Sequence, residues 1–130
     1  MGSFSVGEKN KMLDAWTGRT TYTANAAVYA QLHTASPGAA GTSNVATETT
    51  RQAVTFGAAA ASDAISNTAA VQWTNVSTSE TYSHVSFWTA LSAGTFLGSD
   101  DLPASKAVTA GDTFTIASGD IDLAIGGTLP

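Results

Sequence analysis

The chain has 130 residues, a formal net charge of −5, no cysteine, and five scattered basic residues, Lys9, Lys11, Arg19, Arg51 and Lys106. That length predicts one domain with a single core, while the missing cysteines exclude disulfides, thiolate metal centres and thiol nucleophiles. Five dispersed cations form no stripe for a phosphate backbone, and no apolar run reaches transmembrane length, so neither nucleic acid nor a membrane is expected as a partner.

In chain order, residues 1–8 show neither the basic region nor the apolar run of a signal peptide. Ser5-Val6-Gly7-Glu8 has the spacing of a capping box, in which the Ser5 hydroxyl and the Glu8 carboxylate satisfy each other's backbone amides. A helix over about 6–17 should follow, ended by Gly18 in a left-handed conformation. Val6, Met12, Leu13 and Trp16 form a loose apolar stripe on it. Such stripes are usually core, so Trp16 is expected to seal the helix onto a sheet; the alternative is an interface anchor.

Val28 to Thr34 alternates Val28, Ala30 and Leu32 with Tyr29, Gln31 and His33, which predicts a strand with one face on the core and the other toward water or a partner. Ser36-Pro37-Gly38 ends it and opens a long loop to about residue 49. A strand over Arg51 to Phe56 places Val54 and Phe56 opposite Ala53 and Thr55. The Ala-rich run 57–62 is too short and too flanked by Gly and Ser-Asp for a helix and is taken as loop or irregular edge. Ala69 to Thr74 is a strand with Val71 and Trp73 on one face, and 75–81 is a connection.

His84 to Ala90 then alternates Val85 and Phe87 with His84, Ser86 and Trp88, so both of its faces are bulky. Thr95 to Gly98 starts a strand that Asp100-Asp101-Leu102-Pro103 is expected to break. Val108 opens an extended piece, Ala110-Gly111-Asp112 and Ser118-Gly119-Asp120 are turns, and Phe114 and Ile116 point inward from the strand between them. Ile121, Leu123 and Ile125 close the chain at strict period two, opposite Asp122 and Ala124. The pattern is all-β: an antiparallel β-sandwich, jelly-roll-like or Ig-like, with one short N-terminal helix, in a single domain whose helical segment is 1–20 and whose strands lie in 28–130.

The core so built is thin. Leu, Ile, Val and Phe make up only 24 of 130 residues, below the roughly one-fifth at which a chain struggles to fold, yet the charge is modest and the alternation clear. Apolar surface buried against copies of itself or a larger assembly resolves the conflict. A strand with Phe87 on one side and Trp88 on the other lies between two layers or meets another subunit, and the termini are expected to be tied down by neighbours. Trp16, Tyr29, His33, His84 and Trp88 are the candidate interface residues.

The catalytic search is empty. There is no P-loop, nucleophile elbow, zinc-protease or dinucleotide motif. His33 and His84 fall on the outer faces of strands, where hydrogen bonding outweighs metal ligation as a role. Asp100-Asp101 and Asp120-x-Asp122 lack further oxygen ligands at recognisable spacing. No catalytic residue, cofactor or metal is therefore expected.

The Phe4-Ser5 helix start, Val28 to Gly38, Arg51-Gln52-Ala53-Val54-Thr55-Phe56, Val85-Ser86-Phe87-Trp88 and Lys106 to Phe114, taken in this order, resemble a family of small tailed-bacteriophage virion proteins variously described as minor capsid, head decoration or tail-fibre proteins. The most specific element is Leu32-His33-Thr34-Ala35-Ser36-Pro37-Gly38 followed by Arg51-Gln52-Ala53-Val54-Thr55-Phe56. The resemblance implies a non-enzymatic structural protein of the virion, made in the host cytoplasm. In this reading it sits on the capsid surface as a decoration or cement protein bound to the major capsid protein, as a dimer or trimer. Its alternative is a tail-fibre or tail-tip host-recognition module.

Overall fold

A computed structural model describes residues 2–58 and 62–130. Its elements are β1 (Gly2–Phe4), α1 (Val6–Trp16), β2 (Val28–His33), β3 (Gln52–Val54), β4 (Ala64–Ser66), β5 (Val71–Trp73), β6 (Glu80–Trp88), β7 (Phe96–Val108), β8 (Phe114–Ile116) and β9 (Asp122–Ala124). The chain is all-β with a single helix, as the alternation predicts. The Ala-rich run taken as loop lies partly outside the described residues.

Seven strands form one sheet in the order β3-β2-β6-β7-β1-β9-β4, and β5 pairs with β8 in a second, two-stranded sheet. The large sheet curls until its ends meet. Phe56, just beyond β3, bridges to Asn67, just beyond β4, and the Gly57 and Thr68 amides donate to Ser66 O and Thr55 O at 3.0 and 2.9 Å. Curling removes the exposed edges that an open sheet would present. Two expectations are corrected. The sheet is mixed, because β1 runs parallel to β9, and the two layers are very unequal.

Burial follows the strand period. Ala30, Leu32, Val85 and Phe87 are 0% exposed and pack on Leu97, Ile121 and Leu123. Phe56 meets Phe87 edge-on with ring centroids 5.8 Å apart, and Phe114, from the small sheet, lies 5.0 Å from Tyr82. Trp73 and Phe114 thereby close the core from the second layer.

The helix begins as the capping box requires, with Ser5 Oγ accepting from the Glu8 amide at 3.1 Å. It ends in a Schellman turn: Gly18 has φ +76°, and the Gly18 and Arg19 amides donate to Ala15 O and Asp14 O. Its orientation reverses the expectation. The buried residue of α1 is Glu8, whose carboxylate takes Lys11 Nζ and Tyr22 OH, each at 2.7 Å. Burial, together with the Glu8 partner, pushes the Tyr22 phenol up to about 12. Val6, Leu13 and Trp16 instead face water, Trp16 being 86% exposed. Trp16 therefore does not seal the helix onto the sheet.

Other departures have local causes. Asp100 to Pro103 does not break β7, because β7 bulges there: its pairing with β6 steps from His84–Asp101 to Tyr82–Lys106, so 102–105 sit opposite Ser83 alone and Pro103 is asked for no ladder donor. Ile125 lies past the end of β9 and is 53% exposed. The ends are held by the chain itself, with Ser3 Oγ donating to Ala124 O at 3.1 Å and Ser36 Oγ to Pro130 O.

Candidate functional site

Four of the five candidate side chains, Tyr29, His33, His84 and Trp88, share one face of the β2–β6 ladder. Tyr29 lies opposite Trp88 and His33 opposite His84; Trp16, on α1, is not among them. This face was expected to meet water or a partner. The chain's own 34–50 loop folds over it, and His33 and Trp88 are 0% and 8% exposed, while Tyr29 and His84 stay half-buried.

The cover is anchored by backbone and carboxylates. Ala46 N–H donates to Leu32 O at 3.0 Å, and Gly41 lies so close to Phe96 that a Cβ there would stand 2.3 Å from its ring. Glu80 accepts from the Thr47 and Glu48 amides, each at 3.0 Å. Glu48 accepts from the Thr50 and Ser77 amides. Burial opposes ionisation of Glu48, but these donors outweigh it and hold the carboxyl below its usual range.

Beneath the loop runs a directional chain of hydrogen bonds. Trp88 Nε1–H donates to Ser86 Oγ at 2.8 Å, and Ser86 Oγ lies 2.7 Å from His33 Nε2. His33 Nδ1 lies 2.8 Å from Ser43 O. A carbonyl can only accept, so Nδ1 carries the proton and Nε2 accepts from the Ser86 hydroxyl. Burial lowers the pKa of His33 and keeps it in that neutral form. Both ring nitrogens are used, which leaves no lone pair for a metal. His84 pairs locally with Ser83 Oγ at 2.8 Å, and no group of three or more His, Asp or Glu among the described residues is placed to hold a metal ion.

Arg51, expected as one of five scattered cations and as the start of a strand but not as a site residue, closes the arrangement. Its guanidinium lies 4.4 Å over the Trp88 ring, its Nε donates to Gln31 Oε1 at 3.1 Å and its Nη1 to Ala90 O and Ala93 O at 2.7 Å. The signal was its place at the head of Arg51-Gln52-Ala53-Val54-Thr55-Phe56, in register to reach across β2. Residues 3–124 match the family model described as podophage GP4 fiber I protein gp80.

The chain belongs to that family. It is a bacteriophage structural protein, a component of the virion, as the sequence resemblance implies. No match is found among curated proteins. In this fibre-family chain, His33 and Arg51 act on the same face of the β2–β6 ladder, His33 through Ser86 and Arg51 over Trp88.

The paired aspartates serve the fold. Asp100 is 2% exposed and its Oδ2 accepts from the Asp122 amide at 2.9 Å, while Asp122 Oδ1 takes the Ser66 hydroxyl. Burial pushes Asp100 up to about 6, against the lowering effect of the Asp122 amide. Because the folded pKa lies above the unfolded one, this contribution to stability is complete below about pH 4 and is lost as pH rises through about 6, by up to about 3 kcal/mol. Asp100→Asn keeps an acceptor for the Asp122 amide without the charge. It is expected to raise Tm at neutral pH and to flatten the Tm–pH profile between about pH 4 and pH 7. A variant profile that falls as steeply as the parent's would show that Asp100 ionises in the fold without cost.

Proposed function

We propose that the protein is a non-enzymatic component of the virion's tail fibre. The observation that carries this is the family match over residues 3–124, whose description names a fibre protein. The site supports a structural role: its polar side chains are spent on one another and on the covering loop, and Asp100 and Asp122 are committed to backbone and hydroxyl partners. The exposed Val6, Leu13 and Trp16 stripe gives α1 an apolar surface suited to a neighbouring protein.

Capsid decoration, with the major capsid protein as partner, is the second reading, and position in the particle separates the two. A fibre component is expected in few copies, labelled by antibody at the tail, and its removal should cost adsorption with the head unchanged. Labelling over the whole head in hundreds of copies, with a head that leaks or bursts more readily when the protein is absent, would replace the fibre reading with decoration.

A further inference from the structure

The two-stranded sheet lies outside the closed large sheet, and each of its strands has one ladder partner only. β8 pairs with β5 on one side only. Across from its other side lies the bulge of β7, where residues 102–105 have no paired strand among the described residues. Between them is a groove of about 410 Å³, lined by Leu102, Pro103, Ala104 and Lys106 from β7, by 113–116 and by Asp120. Phe114 and Ile116, which point inward, and Thr113 and Thr115, which point outward, all border it. The groove therefore runs along the strand edge, where backbone groups without a ladder partner face outward.

Charge is placed there as well. Lys9 donates to Gly127 O, Lys11 pairs with Glu8, Arg19 with Asp14, and Arg51 donates to Ala90 O. Among the described residues, Lys106 is the one basic side chain without a hydrogen bond or ion pair, and it lines the groove. Asp120 adds a carboxylate to the same lining, which disfavours a run of acids but leaves room for one.

We infer that this groove binds an extended peptide segment of another virion protein, added as a strand to the edge of β8, with a single acidic side chain on Lys106. Main-chain hydrogen bonds supply the affinity in this mode and the flanking side chains the selectivity. Three residues of β8 offer a ladder of about 10 Å, enough for a short tether and too short to aggregate on its own. The inference rests on the reading of the protein as a structural component joined to neighbours, but not on its position in the particle, because purified protein suffices to test it.

The probe is a synthetic ten-residue peptide alternating valine and threonine with one central glutamate. Its controls carry lysine at that position, or N-methyl groups on alternate backbone amides. With ¹⁵N-labelled full chain, the glutamate peptide is expected to shift the amides of 102–106 and 113–116 and to bind at least tenfold more tightly than the lysine peptide. The N-methylated peptide should not bind, and Lys106→Glu, a surface change, should invert the charge preference with the spectrum otherwise intact. Equal binding of the N-methylated peptide, shifts centred elsewhere, no response to any peptide, or concentration-dependent shifts of the same amides without peptide, which would mark a second copy as the occupant, would each overturn the inference.

Discussion

Trp88→Ala is expected to lower the free energy of unfolding by about 3–5 kcal/mol, the range for deleting a large buried aromatic side chain. The side chain is 8% exposed, lies 5.5 Å from the Phe96 ring centroid and supports the Arg51 guanidinium. Truncation also removes the donor that Ser86 Oγ receives and so disturbs the chain to His33. Urea denaturation followed by far-UV circular dichroism should show a lower midpoint with little change in slope. From sequence alone the same substitution is expected to weaken assembly and spare the fold. A loss below about 1 kcal/mol together with impaired assembly would restore that reading and make the loop over Trp88 a movable cover.

Gly98→Ala is the second large effect. A Cβ at Gly98 would stand 2.4 Å from Ser3 O and 3.0 Å from Phe4 Cα, and both obstacles are backbone that cannot rotate aside. β1 must then leave its place between β7 and β9, and β9 would keep only β4 as a neighbour. A cost of about 3 kcal/mol or more is expected, since overpacking and the loss of ladder hydrogen bonds act together. Hydrogen exchange locates it: the Ser3 and Leu123 amides should lose protection before those of β2 and β6. Unchanged protection at Ser3 would show that β1 contributes little to the sheet.

How much was legible can be traced residue by residue. The Ser5 cap and Gly18 stop, the period-two runs of β2 and β8, and the turns at Gly111 and Gly119 are short-range events. Each depends on a side chain meeting its own backbone or on a backbone angle that suits glycine, and Gly111 and Gly119 do take φ +92° and +84°. The family was readable too, because Leu32-His33 and the Arg51 segment are contiguous stretches and residues 3–124 match as a whole.

The strands β1 and β4 were not legible, since neither Gly2-Ser3-Phe4 nor Ala64-Ile65-Ser66 sits in a longer alternating run. They form strands because distant chain supplies their partners, with Ser3 set opposite both Ser99 and Ala124. The outer face of β2 was misread for a related reason. Alternation shows that Tyr29, Gln31 and His33 point away from Leu32, but not what covers them. That depended on a polar loop folding back, with Glu48 and Glu80 binding its amides and Arg51 reaching Trp88. The sequence by itself therefore determined the helix, the alternating strand β2, the turns and the virion family, all of which rest on neighbouring residues, whereas the continuity of β7 through Pro103 did not follow from it. The tertiary structure decided the closure of the sheet, the inverted exposure of α1 and the burial of His33 and Trp88, because each depends on contacts between segments far apart in the chain.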